Sequence, residues 1–77
     1  MKKLIIYQQS LKLIAQIYLL IRSNKQLQRD FSLCDQIKRA SVSILTNIAE
    51  GYHRHVKQWR NYLKIASGSA NEVVALL

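Results

Sequence analysis

Apolar residues recur at three- and four-residue spacing along most of the chain, the pattern of helices that each bury one side. It is clearest over residues 36–51, QIKRASVSILTNIAEG. There Ile37, Ala40, Ile44 and Ile48 fall on one face, and Gln36, Arg39, Ser43, Asn47 and Glu50 on another. A wide apolar side beside a narrow stripe of hydrogen-bonding groups suits a helix inside a bundle, with Gly51 taking the left-handed turn that ends it. This is the expected central helix.

Ahead of it, residues 5–23 carry two adjoining apolar faces. Tyr7, Leu11, Ile14, Tyr18 and Ile21 form one, and Ile6, Leu13, Ile17 and Leu20 the other, with Gln8, Lys12, Gln16 and Ser23 on the wet side. A surface helix shows one stripe of about 100°, so this helix is expected to touch two neighbours. Tyrosines in the apolar register read as packing residues rather than as stacking platforms for bases. Residues 24–29 are polar without an apolar period and read as a connection, with Asp30 as N-cap of a second helix over 30–50. Phe31, Leu33 and Cys34 open its apolar face, and Asp35 precedes Lys38 and Arg39 at the spacing that supports a helix locally.

Tyr52-His53-Arg54-His55 makes a basic, aromatic turn. A third helix, residues 56–77, turns Trp59, Leu63, Ala66, Ala70, Val73 and Leu77 inward and Lys57, Arg60 and Lys64 outward. Beyond Lys64 the outward positions are Gly68, Asn71 and Ala75, small enough for another helix to come close. With no proline, repeat or strand pattern, the expected fold is all-α. It is one domain over residues 1–77, an antiparallel up-and-down bundle with three helices in this chain, completed by oligomerisation.

Size strengthens the case for association. Seventy-seven residues bury only about 60–65% of their unfolded surface, and small domains compensate with disulfides, metals or partners. One cysteine and no ligand cluster leave partners. Cys34, in the apolar register, reads as a buried thiol in a reducing compartment.

Twelve Lys or Arg against four Asp or Glu give a net charge of +8, and the isoelectric point is near 10.1. Cations spread along several helices match a phosphate backbone, so nucleic acid is the expected anionic partner. Arg54, Lys57, Arg60 and Lys64 form the best constellation, with Lys38 and Arg39 as further candidates; all six would supply affinity without base readout. The competing reading of these residues is a solvated face. A helix-turn-helix is disfavoured because the polar side of the third helix lacks the Asn, Gln and Ser spread of a base-reading helix.

Gln36, Ser43, Asn47 and Glu50 read as a buried hydrogen-bond network that fixes helix register rather than as a ligand site. His53 and His55 lack a third metal ligand nearby and are placed to touch phosphate or solvent. Asp30, Asp35, Glu50 and Glu72 show no spacing of a paired acid and base, no nucleophile stands beside a base, and no glycine-rich phosphate loop exists. No enzyme, cofactor or metal is expected. The MKKLII start is interrupted by Gln8, Gln9, Ser10 and Lys12 without a cleavage site, so it does not read as a signal peptide. Residues 13–21, its least polar run, are about half the ~20 residues a bilayer requires. The expectation is a cytoplasmic protein without a membrane partner.

QIKRASVSILTNIAEG followed by YLKIASGSANE resembles the signature of the 23S rRNA-intervening-sequence proteins, a four-helix-bundle family. Tyr7-Gln8, DFSLCDQIKRA, NIAEG and the pattern of Ala66, Gly68, Ser69 and Glu72 follow the family's order, and the similarity runs from Leu4 to the last residue. The resemblance implies a cytoplasmic, non-enzymatic bundle that assembles into homo-oligomers, typically pentamers. Some members are encoded within intervening sequences excised from large-subunit ribosomal RNA. A related branch resembles basic accessory proteins that work with a reverse transcriptase and its RNA. Departures from the pattern are Leu45 where a proline is common, a turn after Gly51 one residue shorter, and His55 or Val56 where a serine would cap the next helix. The chain ends within the third helix, so the family's fourth helix is expected to be missing. A basic homo-oligomer that binds ribosomal or intervening RNA through its phosphates is the resulting expectation. The alternative is a protein-interaction module, such as an accessory subunit of a reverse transcriptase, or a degenerate remnant without function.

Overall fold

The structure, a computed structural model, describes residues 2–77 as four helices: α1 Lys2–Ser23, α2 Lys25–Arg29, α3 Phe31–Gly51 and α4 Val56–Leu76. The three-helix count is therefore corrected. Residues 24–29 are not a plain connection, because KQLQR consists of good helix formers and Asn24 caps it, accepting the Leu27 N–H at 3.0 Å. This single turn also closes its neighbour. The Gln28 amide donates to the Ile21 carbonyl at 3.0 Å and to that of Arg22, satisfying acceptors that the end of α1 leaves open.

Asp30 starts α3 as expected, its carboxylate accepting the Leu33 N–H at 3.0 Å. Ile37, Ala40, Ile44 and Ile48 are all buried, Ile37 completely. The helix runs unbroken through Leu45. Two pairs of contacts fix how it is flanked. Lys3 of α1 reaches Tyr52 while Tyr18 meets Lys38, and Ser43 meets Ser69 while Gly51 meets Tyr62. Both pairings run antiparallel, so α3 is the middle helix. No Cα of α1 lies within 8 Å of one of α4.

Gly51 corrects a second expectation. It is helical with no positive φ, so no left-handed turn is involved. Its reason is space: a Cβ there would stand 2.8 Å from Tyr62 Cβ and 2.9 Å from Trp59 Cε3, so α3 and α4 meet at this point only through a residue without a side chain. Phe31 is a third correction. It is 82% exposed, because the antiparallel register sets the end of α4 opposite the second turn of α3 and leaves the first turn uncovered on that side. Cys34, one turn on, is buried with its Sγ 2.8 Å from the Leu27 carbonyl oxygen of α2.

The core joins Ile17 and Ile21 of α1 to Cys34 and the α3 isoleucines, and these to Trp59, Ala66 and Val73 of α4. Two buried serines lie within the packing. Ser10 and Ser41 each donate to the carbonyl four residues back, at 2.7 Å, which satisfies the buried hydroxyl within its own helix. Much apolar surface remains outside this core. Leu4, Ile5, Leu11, Leu13, Tyr18, Leu19 and Leu20 of α1 are exposed, as are Ile65 and Val74 of α4. The shape explains why: a rod of 42 × 18 × 15 Å has a radius of gyration of 13.3 Å, against about 11–12 Å for a compact domain of this length. By length and composition α1 as a whole is long and apolar enough to cross a membrane, which the shorter run over residues 13–21 does not convey. It nonetheless lays Ser10, Ile17 and Ile21 against α3 and carries Lys12 near its middle.

Candidate nucleic-acid interface

The antiparallel order brings the start of α1, the end of α3 and the start of α4 to one end of the rod. Lys2, Lys3, Arg54, Lys57 and Arg60 gather there with Glu50 as the only carboxylate among the described residues, so half of the net charge of +8 sits at one end. Lys3 organises it. Its ammonium donates to the Tyr52 carbonyl at 3.0 Å and the Arg54 carbonyl at 3.1 Å, and lies 5.1 Å from the centre of the Trp59 ring. One cation thus ties α1 to the turn between α3 and α4, where it offsets the negative end of α3.

The six candidate cations divide. Lys57, Arg60 and Lys64 are exposed along the outer face of α4, and none forms an ion pair among the described residues. Arg54 stands beside them but is engaged, its guanidinium 3.1 Å from the Glu50 carboxylate and its Nε 3.4 Å from the Glu50 carbonyl oxygen. Lys38 and Arg39 are elsewhere, a helix rise of about 18 Å before the end of α3. Arg39 pairs with Asp35 at 2.8 Å, and the Lys38 ammonium lies 5.8 Å from the Tyr18 ring, bridging α3 to α1. Both ion pairs are solvent-exposed, so each adds little to stability and its arginine remains available to an anion.

The polar stripe of α3 also divides. Ser43 and Asn47 are half-buried and bonded: the Asn47 amide donates to the Ser43 carbonyl at 2.8 Å and to its hydroxyl at 3.1 Å. Ser69 of α4 donates to the same hydroxyl at 2.8 Å. Gln36 and Glu50 are exposed and stand outside this group, so the four do not make one buried network. Ser69 and Lys3 carry contacts that helical periodicity does not reveal, since each reaches across to another element. The N-cap of α4 is His55, which makes no side-chain capping bond. The first N–H groups of that helix therefore lack the partner a serine would give.

Chemistry beyond charge has little material here. Asp30 is a cap, Asp35 and Glu50 hold arginines, and Glu72 is exposed on α4. Among the described residues no three of His, Cys, Asp or Glu come together as metal ligands would. What the end of the rod offers is positive charge, on one side of α4 and around the turn.

A family model described as 23S rRNA-intervening sequence protein matches residues 2–77. No curated protein and no solved structure matches the chain.

Proposed function

The chain belongs to the 23S rRNA-intervening sequence protein family, and from that premise we propose that it is a non-enzymatic, cytoplasmic RNA-binding protein acting as a homo-oligomer. The RNA is ribosomal or the intervening RNA itself, held by its phosphates. The observation that carries this reading is the row Lys57, Arg60 and Lys64, exposed and free of ion pairs among the described residues, leading away from an end that holds half of the net charge. Such cations neutralise phosphates without reading bases. Association is supported by the large apolar residues of α1 and α4 that stay exposed among the described residues.

Filter binding of ribosomal RNA fragments across a salt series tests it. Log affinity is expected to fall linearly with log salt, and replacing Lys57, Arg60 and Lys64 by Ala to lower the slope by about 2–3, near 0.7–0.9 for each phosphate no longer neutralised. Affinity that ignores salt refutes the phosphate reading. A second reading, a protein-interaction module such as a reverse-transcriptase accessory subunit, draws on the same exposed apolar residues of α1. Pull-down after nuclease treatment separates the two, because a protein partner survives the loss of RNA.

A further inference from the structure

We propose that a pocket at the basic end, walled by Leu4, Tyr7, Ala49, Tyr52 and His53, takes one unpaired nucleobase of the bound RNA. The inference rests on the RNA-binding reading and adds a contact that phosphates cannot make. Tyr7 and Tyr52 meet edge to face, with ring centres 6.3 Å apart and planes at 77°; Tyr52 and His53 do the same at 4.9 Å and 70°. Each ring is braced by the next, so little side-chain freedom is lost when a ligand enters. Ala49 contributes only a methyl group between the tyrosine walls. The cavity measures about 290 Å³, just under the ~300–1,000 Å³ of small-molecule sites, which suits one ring system rather than a whole nucleotide.

What surrounds the pocket selects the occupant. Lys3 is held to the carbonyls of Tyr52 and Arg54, and Arg54 follows His53 in the same turn. An apolar aromatic recess at an end rich in cations is the pairing single-stranded nucleic acid uses, with the base on the rings and the backbone on the charges. A base inside a duplex has both faces covered and cannot enter, so the site is specific for unpaired positions. Tyr7, one of the two tyrosines of the apolar register, is half-buried and serves as both packing residue and pocket wall.

Fluorescence anisotropy with a short unstructured RNA carrying 2-aminopurine, beside a duplex of equal length, tests the pocket on the full chain. Tyr52→Leu is expected to weaken the unstructured RNA about tenfold and to leave the duplex and the salt slope unchanged. His53→Ala, at an exposed position, is expected to weaken it a few-fold in the same selective way, with circular dichroism reporting that both variants fold. Wild-type affinity in both variants, or equal losses on duplex and single strand, overturns the pocket while salt-dependent binding preserves the phosphate reading. Wild-type protein that binds neither RNA overturns both. A wild-type protein that binds the two RNAs alike, with the pocket cross-linking to a second copy of the chain, assigns the recess to assembly and also overturns the proposal.

Discussion

Replacing Gly51 by Ala tests the closeness of α3 and α4 where the basic end is built. The added Cβ meets Tyr62 Cβ at 2.8 Å and Trp59 Cε3 at 2.9 Å, both shorter than carbon atoms tolerate. Tyr62 Cβ is fixed to the backbone, so relief requires α4 itself to move. Overpacking costs about 1–3 kcal/mol, and the upper half of that range applies where no side chain can swing aside. Against it stands the gain of Ala over Gly in a helix, about 0.5–1 kcal/mol. The net loss is about 1–2.5 kcal/mol, which lowers Tm by roughly 4–20 °C for a domain of this size. Gly68→Ala is the matched control, since nothing lies within 4 Å of a Cβ built there. In dilute solution it is expected to gain about 0.5–1 kcal/mol. Thermal and urea unfolding followed by circular dichroism, with the two variants side by side at one protein concentration, reads the opposite signs. A Gly51→Ala protein as stable as wild type refutes the close approach.

Leu13→Glu combined with Leu20→Glu places charges at exposed positions of α1, so the subunit is expected to keep its fold while native mass measurement shifts from oligomer to single subunit and Tm loses its dependence on concentration. A wild-type protein that is a single subunit at every concentration refutes the assembly. Ser69→Ala removes the one side-chain hydrogen bond that joins α3 to α4 among the described residues, and urea unfolding is expected to report a loss of about 0.5–1.5 kcal/mol. An unchanged midpoint assigns that bond no net worth.

The parts of this fold legible in the sequence are those governed by period and local chemistry. Ile37, Ala40, Ile44 and Ile48 repeat at helical spacing and are buried together, and Asp30 caps α3 because a carboxylate there finds the Leu33 N–H three residues on. Positions that depend on another element are not legible. Gln36 and Glu50 share a face with Ser43 and Asn47, yet only the middle of that stripe has Ser69 opposite it; the two ends project into solvent. Gly51 stands out in the sequence for its backbone freedom, whereas the demand comes from Tyr62 and Trp59 across the interface. The six cations split for the same reason. A wheel does not show that α1 returns Lys3 to the turn, or that Arg39 stands far from Lys57 along the rod.

Gly68 and Glu72 carry this reasoning one step outward. Both belong to the motif of α4, and neither acts within the subunit: Gly68 has no neighbour that would object to a methyl group, and Glu72 is exposed without an ion pair among the described residues. A glycine inside a helix costs about 1 kcal/mol relative to Ala, and no contact in the subunit offsets that cost. A second backbone crossing at Gly68 would, in the way α4 crosses at Gly51. The sign of Gly68→Ala then depends on what covers it. A gain in dilute solution that turns to a loss at the concentration where copies associate places Gly68 in the interface, while a gain that persists at every concentration leaves this face open and confines association to the apolar positions of α1.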